Sequence, residues 1–396
     1  MTYAFSDGVR DLSPSAIREI LKYCADPEVV SLSAGNPAPE AFPVEEIRRI
    51  SERLLREDPI GVLQYSTTEG YAPLRERVMA DMRVRHGVGG KEDDILITAG
   101  AQQVMGLMAK AFCNPGDVVL CEDPSFVGAL NAFRALGAKL VGVPMEEDGL
   151  SLPALEAALK AHPNAKFLYT IPNFQNPAGV TMSWKKRQEV YALASRYGVL
   201  VLEDNPYGEL RFAGQPVPAI KTLDTEGLVV YAGSFSKVLS PGLRVGYAIG
   251  PKAVLQKLTV AKQGEDVHTN IWAQRVCAEF LGGDFEGHLQ KLRGIYKQKA
   301  ERMMALLDAD LCPLGVTYHP VEGGLFLWCT LPASVDMPAF CTRAVREYKV
   351  AVVPGNAFLA DPGAPCQSFR VNYSTPTDEA MEQGVRRLAD CLRACL

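Results

Sequence analysis

Residues 227–250, GLVVYAGSFSKVLSPGLRVGYAIG, decide how the rest of the chain is read. The apolar run 228–232 has the length and make-up of a buried strand, and it empties into Gly233-Ser234-Phe235-Ser236 ahead of a single lysine, Lys237. The small residues let another body approach the backbone, and the two serines offer hydroxyl donors and acceptors. After a Pro-Gly turn, Arg244 opens a second apolar run, 245–249. Lysine, hydroxyls and arginine converging at strand ends suit a phosphorylated ligand that carries a carbonyl, because a desolvated lysine amine attacks carbonyls readily. A surface lysine on an ordinary loop is the alternative that this stretch alone leaves open.

Around it lies a chain of 396 residues, more than one ordinary core holds, so two domains are expected. With 47% hydrophobic and 22% charged residues it has the make-up of a globular protein. A net charge of -5 argues against nucleic acid or an anionic membrane as partner, since either favours a basic surface. The one basic cluster, Lys185-Lys186-Arg187, opens an amphipathic helix and reads as a solvated face. Ten cysteines are scattered without CxxC spacing and five histidines form no HxxxH pair, which points to reduced thiols, no metal site and a cytoplasmic protein. Residues 1–21 carry charges and lack an apolar centre, so they do not read as a signal peptide, and no apolar run reaches bilayer length.

Along the chain, residues 15–24 and 44–57 have helical periodicity, and a loop carrying Tyr65 leads into another helix near Pro73. Strand-like runs then recur at 95–98, 118–121, 139–143, 167–170, 199–203, 228–232 and 245–249, mostly alternating with helical segments. That alternation predicts an α/β layer with a mainly parallel seven-stranded sheet flanked by helices, whose ligands gather at the carboxyl ends of the strands. Beyond residue 250 come helices at 253–263, 270–281 and 289–307, then strands near 316–318, 325–329, 350–353 and 368–372 with helices at 336–348 and 377–395. These form a smaller α+β unit. The expected division is an amino-terminal segment, 1–43, packing with the small domain; a large domain, 44–288; and a small domain, 289–396.

The turns after the strands carry the chemistry. Run 95–98 leads into Ala99-Gly100-Ala101-Gln102-Gln103, a glycine-containing turn into a helix whose free N–H groups and dipole hold phosphate, although most such turns bind nothing. The chain has neither GxxxxGK[ST] nor GxGxxG. Run 167–170 leads into IPNFQNPAG at 171–179, where asparagines beside prolines also serve as plain turn formers. Run 199–202 ends in Glu203-Asp204-Asn205-Pro206-Tyr207. Two acids at the exit of an apolar strand call for a cation nearby, and a protonated pyridine nitrogen, as in pyridoxal phosphate, is one.

NPAG at 176–179, EDxxY at 203–207 and SFSKxLxPGLRxG at 234–246 occur in the order and approximate spacing of a known family. Over nearly its whole length the chain resembles the fold-type I pyridoxal-phosphate aminotransferases of class I and II. The resemblance implies that Lys237 attaches to the cofactor and then carries a proton at the substrate α-carbon, and that Asp204 keeps the ring nitrogen protonated. It further implies that Tyr207 and Asn176 meet the ring hydroxyl, with Asn176 also touching the substrate carboxylate, and that Gly100, Ala101, Gln102, Ser234, Ser236 and Arg244 hold the phosphate. Phe126 would stack on the ring, where many relatives carry tyrosine. Arg370, in SFRVNY at 368–373, would grip the α-carboxylate with two parallel hydrogen bonds, with an exposed arginine on an edge strand as the alternative. Tyr65 would reach the neighbouring subunit's phosphate, so a homodimer with shared sites is implied.

SAIREILK, PAPEAFP, LQYSTTEGYAPLRE, QNPAG and KQGEDVHT place the likeness nearest the 2-aminoadipate, kynurenine and aromatic aminotransferases, relatives of MocR-type domains. In that subgroup an arginine on an amino-terminal helix meets acidic substrate side chains and swings away for apolar ones; Arg18 stands at the matching place. The subgroup often has two glycines where this chain has Ala34-Gly35, followed by Asn36, a departure near the substrate that bears on specificity. The implied activity moves the amino group of a 2-aminoadipate, aromatic or aliphatic amino acid to a 2-oxo acid, with 2-oxoglutarate the expected acceptor, in two stages. A β-lyase or decarboxylase of the same fold is the nearest rival. A non-catalytic MocR-like sensor is another, although such a regulator needs many amino-terminal residues ahead of this fold.

Overall fold

The computed structural model describes residues 3–10, 23 and 25–396. In chain order its strands begin with the short β1 (Val30–Ser31), followed by β2 (Asp93–Thr98), β3 (Val118–Asp123), β4 (Lys139–Glu146), β5 (Gly149–Leu150), β6 (Phe167–Thr170), β7 (Leu200–Asp204), β8 (Val229–Ser234) and β9 (Gly246–Pro251). Strands β2 to β9 form one sheet in the order β2-β9-β8-β7-β6-β3-β4-β5. β9 runs antiparallel to both neighbours and β5 to β4, and every other adjacent pair is parallel. Seven strands stand where the sequence places them. The eighth, β5, is a two-residue hairpin partner of β4.

The central strands are apolar on both faces because both are covered. Leu120, Leu168, Val201 and Val229 pack in one layer with Leu155, Leu159, Val190 and Leu193 of the helices Leu152–Ala161 and Trp184–Tyr197. Cys121, Tyr169, Leu202 and Val230 belong to the opposite layer with Val104, Leu107 and Met108 of the helix Ala101–Phe112.

Beyond β9 the helix Phe285–Asp310 buries Leu289, Leu292, Tyr296, Ala300, Met303 and Leu307, a stripe spaced by three, four and seven residues. It leads to β10 (Thr317–Tyr318), β11 (Phe326–Thr330), β12 (Val350–Ala351), β13 (Val353–Pro354) and β14 (Ser368–Asn372). The order β10-β11-β14-β13 makes an antiparallel sheet, and β1 pairs in parallel with β12. The run 350–353, expected as one strand, therefore splits at Val352 between two sheets, a change of partner that an unbroken apolar run does not display.

A second expectation fails at the basic cluster. Only Lys185 is exposed; Lys186 buries its stem and ends between Glu146 at 2.6 Å and Asp148 at 2.8 Å. Arg187 is wholly buried, and its guanidinium donates to the carbonyls of Met182, Val217, Pro218 and Pro172 and to Asn173 Oδ1 at 2.7–3.2 Å. Loop carbonyls, which no local charge pattern reveals, solvate that cation. Of the helix expected at 15–24, residues 15–22 and 24 lie outside the described residues. Among the described residues no helix is long and apolar enough to cross a membrane.

Candidate active site

At the carboxyl edge of the sheet the strands end and the chain turns, leaving backbone and side chains free to face a ligand. β8 stops at Ser234, and Lys237 follows in the next turn, its Nζ donating to the carbonyl oxygen of Gly35 at 2.6 Å. Burial, then the charges of Arg370 and Arg244, lower the lysine pKa to about 8. An amine so placed gives up its proton more easily than an ordinary lysine, as nucleophiles and proton carriers must.

β7 ends at Asp204, which is 3% exposed. Its Oδ2 accepts the Tyr169 hydroxyl at 2.8 Å, while Oδ1 is buried without a hydrogen-bond partner. Burial pushes its pKa up to about 7, against the Tyr169 hydrogen bond and with a further push from the charge of Glu122. A carboxyl with one open oxygen in an apolar wall is a socket for a cationic donor.

Arg370 lies on β14, which is flanked by β11 and β13, so the alternative of an exposed edge arginine does not hold. The side chain is buried, its guanidinium over the rings of Phe326 at 4.1 Å and Phe358 at 4.9 Å. Nη1 donates to Asn176 Oδ1 at 2.7 Å and Nη2 to the carbonyl of Ser33 at 2.8 Å; Nε is buried and unpaired. Burial lowers its pKa to about 10. Asn176 Nδ2 approaches the Tyr207 hydroxyl at 3.5 Å, the long limit of a hydrogen bond, and the Tyr207 ring stands edge-on to Phe326 at 5.9 Å.

Gly100 caps the helix Ala101–Phe112 with φ 77°, and a side chain there would lie 2.5 Å from Arg244 Nη2. Gly246 of β9 presses on the same turn, where an added Cβ would stand 2.6 Å from Ala101 N. Arg244 Nη2 donates to Ala99 O at 3.1 Å, and Ser234 Oγ donates to Ser236 Oγ at 2.9 Å. Gln102 Nε2 donates to Gly128 O at 2.8 Å, and both Gln102 and Phe126 crowd Gly128. Tyr65 stands apart, 82% exposed, its ring edge-on to His268 at 5.7 Å. Arg18 lies outside the described residues.

Contacts and charge effects thus connect Lys237, Asp204, Tyr207, Asn176, Arg244, Gly100, Gly35 and Arg370 into one site. The charges of Arg370 and Arg244 both bear on Lys237, a concentration of positive charge that an anionic ligand balances. Sequence reasoning missed Tyr169, Ser33, Phe326 and Phe358. Only Tyr169 gave a signal, a hydroxyl within an apolar strand that needs a buried partner. A cavity of about 560 Å³, which shares Ser234 with this site, is lined also by Arg85, His86, Glu209, Arg293 and Tyr247. There Arg85 pairs with Glu209 and Asp81, and Arg293 with Glu209 and Glu286, so its charges are already matched.

The family model of class I and II aminotransferases matches residues 27–388. The 2-aminoadipate transaminase of Thermus thermophilus is 41% identical over 99% of this chain and 97% of its own. Aromatic-amino-acid aminotransferase 1 of Thermococcus litoralis is 39% identical, over 98% of this chain and 94% of its own. Among solved structures, Pyrococcus horikoshii kynurenine aminotransferase, in complex with PMP, kynurenine and its product, superposes with a TM-score of 0.94 at 38% identity, covering 98% of this chain and 97% of that one. The chain belongs to the class I and II aminotransferases of fold type I and is a pyridoxal-phosphate-dependent aminotransferase acting on amino and 2-oxo acids. The residues present fit that cofactor: Asp204 Oδ1 is an orphaned buried acceptor suited to a ring N–H, and Gly246 lies so close to the backbone of the Gly100-Ala101 turn that a Cβ there would have no room.

Proposed function

We propose that this aminotransferase takes a 2-aminoadipate, aromatic or aliphatic amino acid as donor and 2-oxoglutarate as acceptor, in two successive half-reactions at one site. The observation that carries this reading is Arg370, buried between two rings with Nε unpaired and Asn176 on Nη1. When bound, pyridoxal phosphate supplies an aldehyde that takes up the substrate nitrogen and a ring that withdraws electrons from the α-carbon.

Lys237 holds the cofactor between turnovers and moves the proton at the α-carbon in both half-reactions. Asp204 would offer its open oxygen to the ring nitrogen, Tyr207 and Asn176 would bond the ring hydroxyl, Asn176 also reaching the substrate carboxylate, and Phe126 would cover the ring. Gly100, Ala101, Gln102, Ser234, Ser236 and Arg244 would hold the phosphate, and Arg370 would bind the α-carboxylate. Gly35, whose carbonyl accepts from Lys237, borders the substrate.

A homodimer belongs to the same reading. Ile60, Leu63, Tyr65, Val260, Val267 and Trp272 are each 41–82% exposed on adjoining elements, an apolar surface suited to a second copy whose site receives Tyr65. We also propose the division into 1–43, 44–288 and 289–396, supported by the large sheet lying within 93–251 and the second within 317–372. A cytoplasmic location is supported by nine free cysteines among the described residues. Arg18 completes the proposal as the residue that meets acidic side chains; Arg18→Ala then weakens glutamate and spares leucine.

Mixing the holoenzyme with single amino acids and no oxo acid tests the reading. Loss of the cofactor's absorbance band must stop after one equivalent of oxo acid is released, and the band must return on adding 2-oxoglutarate. Continued product release without an acceptor would mean lyase or decarboxylase chemistry instead.

A further inference from the structure

Glu122, the next-to-last residue of β3, lies beside Thr170 of β6, on the sheet face away from Asp204, and is completely buried. Its Oε1 accepts the Thr170 hydroxyl, and its Oε2 accepts Ile171 N at 3.1 Å and Gln175 Nε2 at 3.0 Å. The same Gln175 nitrogen donates to the carbonyl of Pro124 at 2.7 Å, and the Gln175 side-chain oxygen accepts Ala178 N at 2.8 Å. Turned over, that amide would aim its oxygen at a carboxylate and a carbonyl and its NH₂ at an N–H, so the surroundings leave one orientation. Residues 171–182 contain no helix or strand, and Asn176 follows Gln175 directly. The position of Asn176 therefore rests on such side-chain bonds.

We propose that Glu122 is a positioning residue for amino-acid binding: through Gln175 it holds the loop that carries Asn176 and ties it to the loop that carries Phe126. This rests on the reading of Arg370 and Asn176 as the carboxylate site. Three groups donate to Glu122, so the carboxylate is the form its surroundings suit, although burial raises its pKa. Replacing it by glutamine turns an NH₂ toward the Thr170 hydroxyl, which must reverse to accept it, and leaves a neutral amide oxygen in place of a carboxylate for Ile171 N and Gln175 Nε2, so the hold on the loop slackens. Asn176 then moves away from Arg370, which loses the partner that fixes its Nη1.

Glu122→Gln is expected to raise KM for every amino acid about tenfold with kcat within about threefold. Affinity for a 2-methyl amino acid, which binds but has no α-proton, should weaken by the same factor when read from the bound cofactor's spectrum. Glu203→Gln is the control: this equally buried acid on the same face accepts Ile220 N at 2.9 Å and Lys221 N at 2.8 Å and should lower the unfolding temperature without moving KM. Should E122Q not fold, Thr170→Val removes one donor and must give the same split at smaller size. Lower unfolding temperatures with KM and analogue affinity unchanged overturn the proposal. Arg370→Leu run alongside separates the failures: if it too leaves KM unchanged, the carboxylate site itself is misread, and if only E122Q does, Glu122 alone loses its role.

Discussion

Two acids one residue apart, Glu203 and Asp204, leave the same strand on opposite faces of the sheet and meet opposite fates. Glu203 accepts two backbone N–H groups and lies near the charges of Arg187 and Lys221. Asp204 accepts one hydroxyl, keeps one oxygen unpaired and has no cation among the causes that set its pKa. The first face is complete within the chain. The second carries open valences at Asp204 Oδ1 and Arg370 Nε, and the physical cost of leaving them open is offset only when a ligand arrives.

If that contrast is right, changes on the open face damage chemistry, and changes on the closed face damage stability except where, as at Glu122, a side-chain bond reaches a loop of the site. The largest loss belongs to Lys237→Ala, expected to lower kcat by about 10,000-fold, measured in single-turnover reactions with a good donor. Asp204→Asn follows, with kcat reduced roughly 1,000-fold while the protein still folds, checked by steady-state kinetics and circular dichroism. Arg370→Leu should raise KM for amino acids about 100-fold with a smaller change in kcat, across donors of every side-chain type.

A pH titration sharpens the comparison further. Asp204 has its pKa raised from 3.8 to about 7, so neutral Asp204 is the form the cofactor-free fold tolerates. Its contribution to stability is fully present below about pH 4 and is lost as pH rises through about 7. Urea unfolding of the stripped enzyme should therefore show wild type losing stability relative to D204N between those values, by about 3 kcal/mol. Restoring the cofactor should remove most of that difference. The smallest effect is Glu203→Gln, a loss of about 2 kcal/mol in unfolding free energy with kcat and KM within twofold.

Much of this was legible beforehand, and the reasons differ by element. β6 falls on its expected residues, 167–170, because a short apolar run between turn formers has few other readings. The helix Val44–Glu57 likewise follows its periodicity. β5 was invisible, since two residues including a glycine carry no pattern. Arg187 and Lys186 were misread because charge spacing tells of a helix face and nothing of the loops that close over it. Lys237, Asp204 and Asn176 stood out through motif order; the bonds that hold them, Tyr169 to Asp204 and Glu122 to Gln175, join residues 35 and 53 positions apart and left no local trace.

The most direct measurement is borohydride reduction of the holoenzyme followed by digestion and mass spectrometry. A pyridoxyl group on Lys237, at close to one per chain, is the expected result. A group on another lysine, or none on an enzyme that nonetheless binds the cofactor and turns over, would contradict the assignment of the open face as the place where the reaction occurs.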